Sequence, residues 1–459
     1  MDTRTATSSL TSTVGDNLKA KILWGRTGAG RSFLRSLLAS TPVVLAPLAS
    51  ITTFTTLTAF DGSFSAYIAA VADQGFWKIT AQHGPRLTWQ GVAAVACWVS
   101  FQALLFLYLP GPVRKGQPTP AGHVLTYRLN GVYSWVLTHI IYFSLGWTGL
   151  LDLAFIARNW SSLIAAMNIA GLLASVLAFV KAYTSPTHPD DRKFSGSSIY
   201  DFYMGIELNP RFGPDFDFKL FTNGHLGMMV WTLIDLSFTA YQYETRQVID
   251  PALILLTILQ FLYVADFFAN EEWYLSTIDI AHDHYGFYLS WGCFCFLPTT
   301  YTIQAQYLGM HHSSDISTLH LAAVFTLGLA AYVVFRSANS QRHRARLFGR
   351  KALISGKPAE FITASYTTAD GTRRESLLLV SGWWGWSRHA NYTADLVFSY
   401  CMCALVGSTK VVVWTYAIWM TLILVHRCLR DEKRLGDKYG DKWAEYCRRV
   451  PWRFVPGVW

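Results

Sequence analysis

Charge is what this chain has least of. Of its 459 residues only 15% are Asp, Glu, Lys or Arg, where a soluble domain of this size carries about a quarter. That shortage excludes an ordinary water-soluble globular protein. Metal-ligand spacing is also missing from the seven cysteines. The pairs Cys293/Cys295 and Cys401/Cys403 sit inside apolar runs, where a thiol packs and does not ligate, so no metal is expected. The first forty residues hold no short apolar core followed by a small-residue site, so no cleavable signal peptide is expected. Internal repeats and low-complexity tracts are lacking too.

What the chain has instead is apolar and aromatic: 52% hydrophobic residues, with 18 Trp, 23 Tyr and 29 Phe. These gather into runs near 42–60, 91–110, 131–153, 160–182, 224–243, 251–270, 286–308, 317–335 and 394–425. A bilayer requires about 20 residues at 1.5 Å rise each, which most of these runs supply. The pattern predicts an all-α polytopic membrane protein of about ten transmembrane helices. One β feature interrupts it. The stretches 361–368 and 375–380 flank Asp370-Gly371 and predict a small β-hairpin outside the bilayer. The glycines and aromatics of the polar stretch 183–223 predict an ordered loop laid against the bundle.

The net charge of +9 is concentrated in three places: the first forty residues, 336–357 and 427–453. All three flank apolar runs, and by the positive-inside rule they face the cytosol. A basic surface arranged this way implies membrane lipids as neighbours and no nucleic acid. Three parts follow: a basic N-terminal segment over 1–40, a membrane bundle over 41–335, and a C-terminal part over 336–459.

Chemistry-bearing residues fall into three groups. Between Arg427 and Arg453 stand nine Lys or Arg and five Asp or Glu, interleaved with Tyr439, Trp443 and Tyr446. Such a mixture beside a membrane span suits a large anionic cofactor with an aromatic part. Arg342 and Arg346, four apart on a predicted helix, share a face on which two guanidinium groups can clamp a phosphate. Trp384, Asn391 and Tyr392, near Arg388 and His389, offer ring faces to stack on and an amide to hydrogen-bond. The last group is the run of acids and histidines Glu271, Glu272, Asp279, His282 and Asp283. A charge at the centre of a spanning helix costs about 2.5–3.5 kcal/mol on insertion scales, so such residues face a cavity or lock helices together. At spacings i, i+3 and i+4, Asp279, His282 and Asp283 are expected on one helix face.

The segments Gly196 to Arg211 and Leu424 to Asp431, the latter followed by Lys438-Tyr-Gly440, resemble the two signatures of the sterol reductase family of the endoplasmic reticulum membrane. The likeness covers nearly the whole chain after about residue 40. The run Phe268 to His284, with Tyr366-Thr-Thr-Ala-Asp-Gly371 and His426 to Glu432, is similar to the branch that reduces the C7=C8 double bond of Δ5,7-sterols. Two departures stand out: Leu435 replaces a family Cys, and Cys293 stands where animal members tend to have Asp.

The resemblance implies a multi-pass endoplasmic reticulum enzyme. It would take a sterol from the bilayer into a cavity of the 41–335 bundle and bind NADPH on the cytosolic side, within 336–459. Carried over residue by residue, it implies cofactor contacts from Arg342, Arg346, Leu379, Trp384, Asn391, Tyr392, Arg427, Asp431, Leu435, Lys438, Tyr439 and Tyr446. A conjugated diene accepts hydride only once protonated, so an acid is needed as well as a cofactor. Tyr446 is the expected donor, with Asp431 orienting it and Asp279 or His282 as second choices. The alternatives are a C14-sterol reductase on the same scaffold, an isoprenylcysteine-type methyltransferase sharing the Arg388-His-Ala-Asn-Tyr392 outline, and an inactive sterol-binding scaffold of the lamin B receptor type.

Overall fold

The computed structural model describes residues 33–311, 316–367 and 373–459. The basic residues Lys19 to Arg31 and the Asp370-Gly371 turn lie outside them. The chain divides into two compact units, residues 1–250 with 260–312 and residues 251–259 with 313–459. Among the described residues six helices are long and apolar enough to cross a bilayer: Ser36–Ala59, Trp89–Tyr108, Trp160–Thr184, Pro251–Ala269, Thr318–Lys351 and Val411–Tyr439. The chain is a polytopic membrane protein, mostly helical, with small two-stranded sheets.

The expected ten spans are not confirmed, and the apolar runs that fall short of these six do so for local reasons. Gly131–Trp147 is 17 residues long. Met229–Arg246 carries a fully buried Asp235 and a polar last turn. The run 286–308 is cut into Phe287–Trp291, a π-helical turn Gly292–Phe296, Leu297–Thr300 with Pro298, and Ile303–Met310. A second π-helix, Phe221–Met228, packs beside the first. Hydropathy averages over such breaks, whereas the i→i−4 ladder does not.

In the first unit, Pro42 sits in the opening turn of its helix, where its missing N–H costs nothing. Thr88 caps Trp89–Tyr108 by accepting from Gly91 N at 3.2 Å. Gly91 has no room for a side chain, because a Cβ there would stand 2.0 Å from Ser162 Oγ; the absence lets Trp89–Tyr108 close on Trp160–Thr184. Trp160, Ile164, Ile234, Phe238, Phe287 and Trp291 form the core between them.

The loop over 183–223 is ordered, as its composition implies. Glu207 accepts from Lys181 Nζ at 3.1 Å and from Thr187 N at 2.7 Å. Arg211 pairs with Asp217 at 3.1 Å and lies 4.6 Å over the Tyr127 ring. Both ion pairs are buried, so each depends on its partner and on the extra hydrogen bonds around it.

The acidic run 271–284 departs from expectation. Asp279, His282 and Asp283 do not share a helix face, because the helix Ile278–Ala281 ends before His282, whose backbone (φ −133°) has left the helix. The cause is Lys219. Its buried ammonium accepts nothing and donates to the carbonyls of Asp279, Ile280 and Asp283 at 2.6, 2.8 and 2.6 Å. Three carbonyls turned toward one cation cannot continue a helical ladder. Glu271 lies apart from this turn and accepts from Gly131 N at 2.9 Å, capping the helix Gly131–Trp147.

The second unit contains the long helix Thr318–Phe348, then the expected hairpin. Its strands Phe361–Thr367 and Arg373–Leu379 pair antiparallel, with Phe361 opposite Leu379 and Thr367 opposite Arg373. The apolar run 394–425 is broken: Ala390–Ala404 ends, Gly407 turns the chain at φ +65°, and Val411–Tyr439 begins. That last helix continues unbroken from its apolar part into the polar residues 427–439 before Gly440 releases it into Asp441–Arg449.

Candidate cofactor-binding site

Past Leu379, the chain makes a sharp turn at Gly382 (φ +62°), against the side chain of Gln341. A Cβ at Gly382 would stand 2.4 Å from Gln341 Oε1. The turn docks the short helix Trp383–Trp386 on the polar end of Thr318–Phe348. Trp383 N donates to Gln341 Oε1 at 2.9 Å, and Trp384 Nε1 donates to the Ala338 carbonyl at 2.8 Å. Trp384 is buried with Ala345, Ile354 and Leu379, and the Arg342 guanidinium lies 5.0 Å over its ring. Ring and cation thus hold each other in place. Arg346, one turn further along, is exposed, within electrostatic range of Arg342, Asp431, Arg434 and Tyr439.

The next residues are stitched to the C-terminal segment. Arg388 N and His389 N donate to the carbonyls of Trp452 and Arg453 at 2.9 and 3.0 Å. The Arg388 side chain is buried and makes four hydrogen bonds: Nη2 and Nε donate to Glu432 Oε1 at 2.7 and 3.0 Å, and Nη1 donates to the carbonyls of Val450 and Pro451. Arg453 Nε holds the other Glu432 oxygen at 2.7 Å. His389, Cys428 and Glu432 bring ligand-type atoms within 4.8 Å of one another. The two guanidinium groups on Glu432 already occupy its lone pairs and would repel a divalent cation, so the cluster reads as packing.

His389 stacks on Tyr392 at 5.0 Å, and burial pushes its imidazole down to about 4. A base whose folded pKa is depressed binds fewer protons folded than unfolded, so stability rises with pH across that interval. Stability is therefore expected to fall as pH drops from about 6.5 toward 4. His389→Gln should flatten that part of a melting temperature against pH curve; an unaltered slope would refute the assignment.

Asn391 and Tyr392 open the helix Ala390–Ala404, with Asn391 Nδ2 donating to Asn339 Oδ1 at 3.2 Å. On Val411–Tyr439, the buried Asp431 accepts from Arg434 at 2.8 Å. Leu435 is half-buried one turn on, and Lys438 Nζ sits 3.8 Å over the Tyr366 ring and 5.1 Å over that of Tyr439. Tyr446 is buried among Ile362, Val380 and Val450, stacked on Trp443 at 5.1 Å. Burial pushes its phenol up to about 12, while Arg342 and Arg388 pull the other way.

The sequence-derived cofactor residues Arg342, Arg346, Leu379, Trp384, Asn391, Tyr392, Arg427, Asp431, Leu435, Lys438, Tyr439 and Tyr446 all belong to the second unit. Asp279 and His282 belong to the first, His282 exposed and Asp279 half-buried. Sequence reasoning missed the Arg388–Glu432–Arg453 clamp, whose only signal was one acid beside Asp431 in a basic stretch. It also missed Asp395, a buried carboxylate inside an apolar run. The second unit further contains an apolar recess of about 570 Å³, lined by Leu327, Leu396, Val397, Tyr400, Trp414 and Trp459. It lies on the opposite face of Ala390–Ala404 from Asn391 and Asp395.

These features belong to a membrane enzyme of one known class. The model of the ergosterol biosynthesis ERG4/ERG24 family matches residues 48–459, and the chain belongs to that family of sterol reductases. It is 42% identical over 389 residues to the 7-dehydrocholesterol reductase of Danio rerio, covering 82% of this chain and 80% of that one. To the 7-dehydrocholesterol reductase of Xenopus laevis it is 42% identical over 386 residues, covering 82% and 81%. The Delta(14)-sterol reductase of Methylotuvimicrobium alcaliphilum is 37% identical over 395 residues, covering 84% and 88%.

Proposed function

We propose that this chain reduces the C7=C8 double bond of Δ5,7-sterols, 7-dehydrocholesterol among them, with NADPH. The observation that carries the cofactor is the grouping in the second unit: two arginines one turn apart, an aromatic ring pinned under one of them, and a buried amide whose oxygen accepts nothing. Arg342 and Arg346 would hold the phosphates, as would Lys438. Trp384 and Tyr392 would line the rings, and Asn391 would bind the carboxamide. Leu379, Arg427, Leu435 and Tyr439 complete the wall. NADPH, when bound, supplies the hydride.

The other half of the reaction falls to the protein. A proton added to the ring-B diene leaves an allylic cation, which a carboxylate nearby stabilises in a low-dielectric site. Tyr446 is the proposed donor. It stays protonated at neutral pH, and Arg342 and Arg388 stabilise the phenolate left behind. Asp431 orients the cofactor side, and Asp279 or His282 is the second choice as donor. The enzyme would reside in the endoplasmic reticulum membrane with this site toward the cytosol, drawing its sterol from the bilayer.

Purified protein given NADPH should abolish the ultraviolet band of 7-dehydrocholesterol. Turnover of a Δ8,14-diene alone would transfer the assignment to the C14 reductase, the less favoured reading, since identity is 37% to the Delta(14)-sterol reductase against 42% to the 7-dehydrocholesterol reductases. Tighter binding of S-adenosylmethionine than of NADPH would replace both with a methyltransferase.

A further inference from the structure

At the start of the helix Ala390–Ala404 two buried acceptors have no hydrogen-bond partner, Asn391 Oδ1 and Asp395 Oδ1. The residues are 7% and 6% exposed. Leaving such an atom bare costs about 1–3 kcal/mol, and more when it is charged. Asn391 is fixed in orientation because its Nδ2 is committed to Asn339 Oδ1, so Oδ1 is left for something else. Asp395 is no surface acid turned to lipid: its neighbours Leu396 and Val397 line the apolar recess on the far face of the helix. On the Asp395 side the helix buries Phe398, Ser399 and Met402, and Arg427 provides the nearby positive charge.

The spacing identifies the missing group. Residues four apart on a helix stand side by side, with Cβ atoms about 5–6 Å apart. Two acceptors that share both protons of one –NH2 group are themselves about 5 Å apart, given N···O distances near 2.9 Å. A sterol hydroxyl carries a single proton and satisfies one acceptor. A primary carboxamide satisfies both.

We infer that Asp395 is a cofactor-binding residue that, with Asn391, receives the two N–H bonds of the nicotinamide carboxamide and so fixes the ring's orientation. The inference rests on the NADPH reading above and adds a residue to it. Asp395 Oδ1 then has a partner when the cofactor is present, and the bond it accepts selects the amide over any replacement that lacks it.

The test is binding, not turnover. The full-length protein in detergent is titrated, by intrinsic fluorescence or calorimetry, with NADP⁺ and with its 3-acetylpyridine analogue, in which a methyl group replaces the –NH2. Wild type should prefer NADP⁺ by about 10- to 100-fold, the worth of one to two such bonds. Asp395→Leu should bring that preference to within about threefold by weakening NADP⁺ alone. It should leave the melting temperature of the cofactor-free protein unchanged or raise it, since a buried carboxyl group with an unpartnered oxygen is removed. Asp395→Asn, which keeps the shape, should lose an intermediate share of the preference and decides the matter if the leucine variant does not fold. Equal weakening of both dinucleotides, or an undiminished preference, overturns the role of Asp395. Wild-type protein that binds neither dinucleotide overturns the cofactor assignment beneath it.

Discussion

Arg346→Ala is expected to raise the KM for NADPH by about 10- to 100-fold, because a guanidinium–phosphate bond contributes about 1.5–3 kcal/mol and each 1.4 kcal/mol is a factor of ten. The side chain is exposed, whereas the Arg342 guanidinium is held over Trp384. Its removal therefore leaves the wall intact and isolates the charge. The melting temperature should stay at the wild-type value. Steady-state kinetics at several salt concentrations give a second check, since an exposed charge is screened within about 10 Å at 0.1 M: the defect should shrink as salt weakens the wild type. Asp431→Ala should lower turnover as well, because Asp431 fixes Arg434 beside Arg346. A KM for NADPH within twofold of wild type in Arg346→Ala would remove this residue from the phosphate site.

The largest effect on stability is expected from Arg388→Ala. One side chain there satisfies Glu432 and the carbonyls of Val450 and Pro451. Its loss leaves a largely buried carboxylate with a single partner, Arg453, and removing one member of a buried pair costs about 3–5 kcal/mol. The melting temperature should fall by about 10 °C. Arg388→Lys should fare little better, since an ammonium cannot reproduce the planar fork that reaches both Glu432 and two carbonyls. Pairing Arg388→Met with Glu432→Leu should recover part of the loss, because the stranded charge goes too. Equal stability of Arg388→Ala and wild type would mean the clamp contributes nothing.

Particular residues show where the sequence was legible. The hairpin strands were readable because Asp370-Gly371 and the alternation around it are local signals that need no distant contact to be read. That Arg342 and Arg346 stand one turn apart on a helix was readable for the same reason, as a spacing of four puts two residues on one face. The span count was not, because Gly292 and Pro298 lie where the backbone departs from the α-helix, which a hydropathy average hides, and Met229–Arg246 carries a buried Asp235 and a polar last turn. The face shared by Asp279, His282 and Asp283 failed through Lys219, sixty residues upstream of the turn it rearranges. Glu432 was invisible as a clamp because the charges at 388, 432 and 453 are unremarkable until folding brings them together. Asp395 was passed over because a single acid in an apolar run is silent about whether anything meets it.

The Glu432 clamp also bears on how the protein is made. It joins residue 388, residue 432 and residues 450–453, so the clamp cannot close until residue 453 has left the ribosome. Each of the six helices among the described residues that are long and apolar enough to span is made before that moment. Through synthesis, then, the enzyme waits as an inserted but unfinished bundle, with Glu432 and Arg388 not yet enclosed.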